Sequence, residues 1–129
     1  TIRFTGKVLF SLGEAEIKSS AQDILDQIAS FIKTVPNNLI VEGHTDNLPI
    51  SNSKYPSNWE LSTARATNVI RYFIEQDDIA PNRLSAAGYS KYKPIKPNNS
   101  SENRSLNRRV DIVILKMEQD DNKEDVLNE

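Results

Sequence analysis

Leu39-Ile40-Val41-Glu42-Gly43-His44-Thr45-Asp46, followed after a polar connection by Ser57-Asn58-Trp59-Glu60-Leu61-Ser62-Thr63-Ala64-Arg65-Ala66, decides how the chain folds. The continuous apolar run Leu39-Ile40-Val41 reads as a short strand from the middle of a sheet covered by helices. Ser57 and Glu60 form a capping box that places a helix start at Trp59. Beyond it Ala66, Val69, Ile70 and Phe73 recur at helical spacing, so that face turns to the core. Arg65 falls on the edge of the stripe, a turn or two from Leu61 and Tyr72, rather than on the outward side. The segment therefore sets a carboxylate, Asp46, where a strand Leu39–Thr45 leaves the sheet and a guanidinium on the next helix.

Working outward, Ile2, Phe4, Val8, Leu9 and Phe10 read as an extended segment interrupted at Gly6. Ser20 and Asp23 suggest a capped helix start, and Ala21, Ile24, Leu25, Ile28 and Ile32 give that helix one apolar face until Pro36 stops it. After Pro81 the stretch Leu84-Ser85-Ala86-Ala87-Gly88-Tyr89 predicts a third strand. A polar loop from Lys91 to Leu106 follows, and Val110 to Leu115 predicts the last strand. The order argues a two-layer α/β sandwich, a mixed sheet of about four strands with two main helices on one face.

At 129 residues the chain fits one domain, here placed at residues 1–116 with an acidic, flexible tail over 117–129. The tail carries six acidic residues against Lys123 alone, which leaves 15 basic and 12 acidic residues, a net of +3, on the body. That mild basicity suits an anionic polymer and falls short of a nucleic-acid footprint, so no nucleic-acid partner is expected. No cysteine is present, which excludes disulfides and thiolate metal sites. No apolar run approaches the roughly 18 residues a membrane span needs.

Opposite charges on rigid elements at a strand-to-helix crossing suit a zwitterionic ligand, one bearing an amine and a carboxylate. For Asp46 the alternatives are an Asx-turn or a salt bridge, to a lysine or to Arg65 itself. Thr45, Asn47 and Leu61 are expected to line the same pocket, and Asn58, near the helix start, to cap or brace the loop or to contact the ligand there. His44, the sole histidine, reads as a hydrogen-bonded strand residue without partners for a metal, and no cofactor is expected. His44, Asp46 and Ser62 make no hydrolase triad, because Ser62 lies in the second turn of a helix and not on a nucleophile elbow.

The blocks Gly43-His44-Thr45-Asp46-Asn47-Leu48-Pro49-Ile50, Tyr55-Pro56-Ser57-Asn58-Trp59-Glu60-Leu61-Ser62 and Asn107-Arg108-Arg109-Val110 resemble the OmpA-like peptidoglycan-binding domain, from about Val8 to Lys116. Within it the long Leu48–Ser57 connection is most similar to the periplasmic domain of MotB-type flagellar stator proteins. The resemblance implies a non-catalytic anchor to peptidoglycan, with Asp46 holding the amine and Arg65 the carboxylate of a diaminopimelate residue in the stem peptide. It implies that Arg109 supports the fold and leaves Arg108 open. It further implies an extracytoplasmic location, a homodimer, a MotA-type membrane subunit as partner and an inner-membrane helix elsewhere in the full protein. A general envelope anchor of the OmpA or Pal type is the alternative, with a cell-wall hydrolase behind it.

Overall fold

The computed structural model describes residues 1–117; the acidic-tail expectation lies outside the described residues apart from Met117. In chain order the elements are β1 (Ile2–Thr5), α1 (Gly6–Leu9), a 3-10 turn (Ser19–Ala21), α2 (Gln22–Ile32), β2 (Leu39–His44), α3 (Asn58–Asp77), a 3-10 turn (Pro81–Arg83), β3 (Leu84–Gly88), α4 (Ser101–Asn107) and β4 (Arg109–Ile114). The sheet runs β1-β4-β2-β3. β4 pairs antiparallel with both β1 and β2, whereas β2 and β3 are parallel, as a crossover through α3 requires.

Register decides which side chains share a face. Phe4 lies opposite Val110, Val41 opposite Ile112 and Leu39 opposite Leu84. This face meets Leu25, Ala29 and Ile32 of α2 and Ala66, Val69 and Phe73 of α3 in one apolar core. The intervening positions, Arg3, Glu42, His44, Arg109 and Asp111, point to the other face by the two-residue period of a strand. The sheet thus has one apolar and one charged side.

Two glycines let α3 lie unusually close to the sheet. A Cβ on Gly43 would sit 2.0 Å from the Ser62 carbonyl oxygen, and one on Gly88 would sit 2.2 Å from Thr63 Oγ1. Both distances are impossible for real atoms, so β2, β3 and the first turns of α3 are in direct backbone contact.

Three local expectations are corrected. Gly6–Leu9 forms a helical turn, closed by the Phe10 amide on the Gly6 carbonyl at 2.8 Å, where an extended segment was expected. Apolar triplets such as Val8-Leu9-Phe10 fit either state, and here burial of Leu9 and Phe10 against the core wins. Ser20 does not cap α2: a 3-10 turn precedes it and its cap position, Ala21, has no side-chain bond to give. The polar loop between β3 and β4 contains α4, whose Ser100 hydroxyl accepts from the Asn103 amide at 3.0 Å. By contrast Ser57 caps α3 as read: its hydroxyl accepts from the Trp59 amide at 3.2 Å and donates to Glu60 at 2.7 Å.

Candidate functional site

β2 ends at His44, and the next two residues turn out of the sheet into the wall of a cleft of about 230 Å³. Thr45 and Asp46 line it together with Asn58, Leu61 and Arg65 of α3, Leu48, Pro49 and Ile50 of the connection, and Leu12, Gly13 and Arg108. Asn47 is exposed and does not line it, since the turn after Asp46 carries its side chain outward. Thr45 is held by its amide on the Ser90 carbonyl at 2.9 Å, and its hydroxyl donates to the Asp46 carbonyl at 2.9 Å. Asn58 braces the connection, donating from Nδ2 to the Leu48 carbonyl at 3.0 Å. Leu61 packs with Ala15 and Tyr55 in a small satellite cluster.

Asp46 and Arg65 face the same cleft without pairing. One Asp46 oxygen accepts from the Leu48 amide at 2.9 Å, an Asx-type turn, and the other accepts from Arg108 in a short ion pair. Both structural alternatives for Asp46 are therefore realised, with Arg108 in place of Arg65 as the cation. Each carboxylate oxygen still has a lone pair to offer.

Arg65 is only 3% exposed and lies with its guanidinium 4.8 Å above the Phe10 ring. Its Nε donates to the Glu14 carbonyl at 2.8 Å and one terminal nitrogen to the Ser11 carbonyl at 3.4 Å. Among the described residues it has no carboxylate partner. Burial first, and the like charge of Arg108, push its pKa down to about 10 against the weaker pull of Tyr55 and Asp46. The group stays protonated at neutral pH, so the cleft holds two guanidiniums and one carboxylate. An anion placed there restores neutrality.

Arg109 sits elsewhere, on the charged face of the sheet. It donates to Asp111 at 3.2 Å and to the Lys93 carbonyl at 3.0 Å. Asp111 also takes Arg3 at 2.8 Å, and its burial, which alone would raise its pKa, is outweighed by these guanidiniums, so the pKa falls. His44 stacks on Tyr89 at 5.0 Å and contacts Glu42 through Nε2 at 3.2 Å. Burial, then the charge of Arg109, lowers its pKa, giving a neutral ring whose Nδ1 has no partner among the described residues.

Contrary to the expectation of no metal partners, Glu42, His44 and Asp111 bring ligand atoms within 4.8 Å of one another. Two acids matched by two arginines leave no charge for a cation to neutralise, so the group reads as a closed network. Ser62 has its hydroxyl on the Trp59 carbonyl at 3.1 Å and accepts from the Ser90 amide at 3.1 Å, remote from nucleophile geometry.

Arg108 is the cleft residue that the sequence reading left undecided. Its signal was available: Arg109 and Asp111 share the charged face, so residue 108, one step along, turns to the opposite side.

A mixed sheet with two helices across one face and a charged cleft at the end of its central strand defines an α/β module built for holding a ligand. The chain belongs to the OmpA family, whose model matches residues 9–108. As a member it is a non-catalytic module. YtxE, an uncharacterised Bacillus subtilis protein, is 50% identical over 109 residues, 84% of this chain and 45% of that protein. Motility protein B of B. subtilis is 39% identical over 115 residues, 88% of this chain and 44% of that protein. The chain thus spans under half the length of both relatives. Among solved structures, the cell wall anchor of the T6SS from Pseudomonas aeruginosa superposes with a TM-score of 0.83 at 36% identity, covering 89% of this chain and 80% of that one. The periplasmic domain of Helicobacter pylori MotB gives 0.78 at 32% identity, covering 86% and 78%.

Proposed function

We propose that the chain binds peptidoglycan and anchors a flagellar motor stator to the cell wall, recognising a diaminopimelate-type residue of the stem peptide. The observation that carries this reading is Arg65, a buried guanidinium bonded to backbone carbonyls and, among the described residues, paired with no carboxylate, in a cleft that Asp46 also lines. Arg65 takes the ligand carboxylate, for which a planar fork is suited and a lysine is not. Asp46 takes the ammonium, which displaces or joins the Arg108 guanidinium already seated there. The similarity to motility protein B supports the stator role, and the similarity to a cell wall anchor supports the wall as ligand. The module then works outside the cytoplasm, as part of a homodimer, beside a MotA-type subunit and on a protein held in the inner membrane.

Sedimentation with purified peptidoglycan tests the site. Arg65→Ala is expected to abolish most pelleting, a loss of about 2–5 kcal/mol if the ligand charge is left buried and unpaired. Equal pelleting of Arg65→Ala and the parent, both shown folded by circular dichroism, overturns the assignment. A second reading, an anchor for another envelope machine, is favoured by the 0.83 TM-score to the T6SS wall anchor. It shares the cleft and the wall and differs only in what is anchored.

A further inference from the structure

We propose that Trp59 and Tyr92 form a second subsite, on the outer side of α3, that stacks against the sugar rings of a β-linked N-acetylhexosamine chain. The inference takes its ligand class from the wall-binding reading, and its geometry is independent of the cleft.

Trp59 and Tyr92 are 49% and 62% exposed, yet their rings stack at 5.4 Å with planes 24° apart. They come from different elements, the first turn of α3 and the loop after β3, so the pair is a tertiary arrangement. Stacking stabilises the pair itself, yet about half of each ring stays in water, and exposed aromatic surface rimmed by polar groups is the form that interaction sites take. Lys91 Nζ lies over the Tyr92 ring, 5.7 Å from its centroid, and adds a donor beside the pair.

Trp59 opens onto a shallow groove of about 460 Å³ along α3, bordered by Glu60, Thr63, Thr67 and Asn68. An aromatic face beside hydroxyl, amide and carboxylate groups is complementary to a hexopyranose. The ring's axial C–H groups meet the negative π-face while its hydroxyl and acetamido groups meet the polar rim. Asn68 has its amide nitrogen on the Ala15 carbonyl at 2.8 Å, which leaves its oxygen for such a donor.

Position supports the same occupant. Trp59 directly follows Asn58, which lines the cleft, so the two sites are on neighbouring sides of one helix, one residue and about 100° apart. A stem peptide seated in the cleft brings its own glycan strand past this face.

Trp59 is the one tryptophan of the chain, so its fluorescence reports on this subsite alone. Titrating the 129-residue protein with N-acetylated chitotetraose, which has the sugars and no peptide, is expected to give a saturable emission shift. Tyr92→Ala is expected to weaken that binding several-fold, and Asp46→Asn to leave it unchanged. In calorimetry, Trp59→Ala is expected to remove the binding heat. The absence of a saturable shift, in protein that still pellets with the wall, overturns the proposal, as does a shift indifferent to Tyr92→Ala or abolished by Asp46→Asn. Sugar binding without sensitivity of wall pelleting to Arg65→Ala would instead retire the cleft assignment and leave this subsite standing.

Discussion

Arg65 and Arg109 are buried to the same degree, 3% and 4% exposed, on opposite sides of one sheet, and the difference that matters between them is the counter-ion. Arg109 shares Asp111 with Arg3, inside a network whose acids and bases cancel. Arg65 has only carbonyl dipoles and an aromatic face. A cation buried with a counter-ion stabilises its surroundings through that counter-ion. A cation buried without one keeps part of its desolvation cost unreturned until an anion arrives. The contrast separates a structural arginine from a binding one where burial alone does not.

The largest effect expected from breaking this contrast is on the charged face. Asp111→Ala leaves Arg109 buried and uncompensated, and should lower stability by about 3–5 kcal/mol in urea denaturation. The cleft should be untouched, so the folded fraction should still pellet with the wall. In the cleft the outcome reverses. Arg65→Met replaces an unpaired cation by an apolar chain of similar reach, and should change stability by about 1 kcal/mol or less while wall binding is lost. A stability loss as large as that of Asp111→Ala would mean that Arg65 is structural after all.

Asp77 applies the same rule with the sign exchanged. It lies at the end of α3, with one carboxylate oxygen lacking a partner among the described residues. Partial burial first, then the neighbouring Asp26 carboxylate, raises its pKa to about 6, against an opposing pull from Lys33. Because the folded chain holds this proton after the unfolded chain has released it, the contribution is stabilising below about pH 4 and is lost as pH rises toward 6. Asp77→Asn should therefore raise the melting temperature at pH 7 and flatten its fall between about pH 4 and 6. The lowered Asp111 acts oppositely, its stabilisation being present above the ordinary aspartate range and lost as pH falls.

The smallest effect sharpens the picture inside the cleft. Arg108→Gln frees Asp46 from its internal cation. It should strengthen the binding of a simple ammonium ligand by a few-fold in calorimetry while leaving the melting temperature within a few degrees. Unchanged ammonium affinity would show that Arg108 and the amine do not compete.

The framework of the fold was legible because its signals are periodic. Leu39–Val41, the Ala66–Phe73 stripe and the Ser57–Glu60 cap each announce an element without reference to the rest of the chain. What escaped depends on contacts distant in sequence. The short helix α1 is stabilised by burial that no local pattern shows, and α4 is hidden in a stretch that is polar throughout. At the site, Asp46 and Arg65 are each set by their own element, so their meeting in one cleft followed from the strand-to-helix order. Their individual partners did not. Arg65 is held by carbonyls 51 and 54 residues earlier, and Asp46 by a guanidinium 62 residues later. Backbone acceptors in irregular segments leave no residue-type signature to read.

The glycines that bring α3 against β2 also determine how the module carries load. β2 is laddered on both sides, to β3 over five residues and to β4 over six. A pull on Asp46 directed along β2 would meet both ladders in shear, where the bonds share the force and yield together. A pull on Arg65 would enter α3, which rests directly on Gly43 and Gly88, and pass into β2 and β3. An attachment at this cleft would therefore be backed by paired strands and a directly packed helix, although the segment that shapes the cleft is a loop.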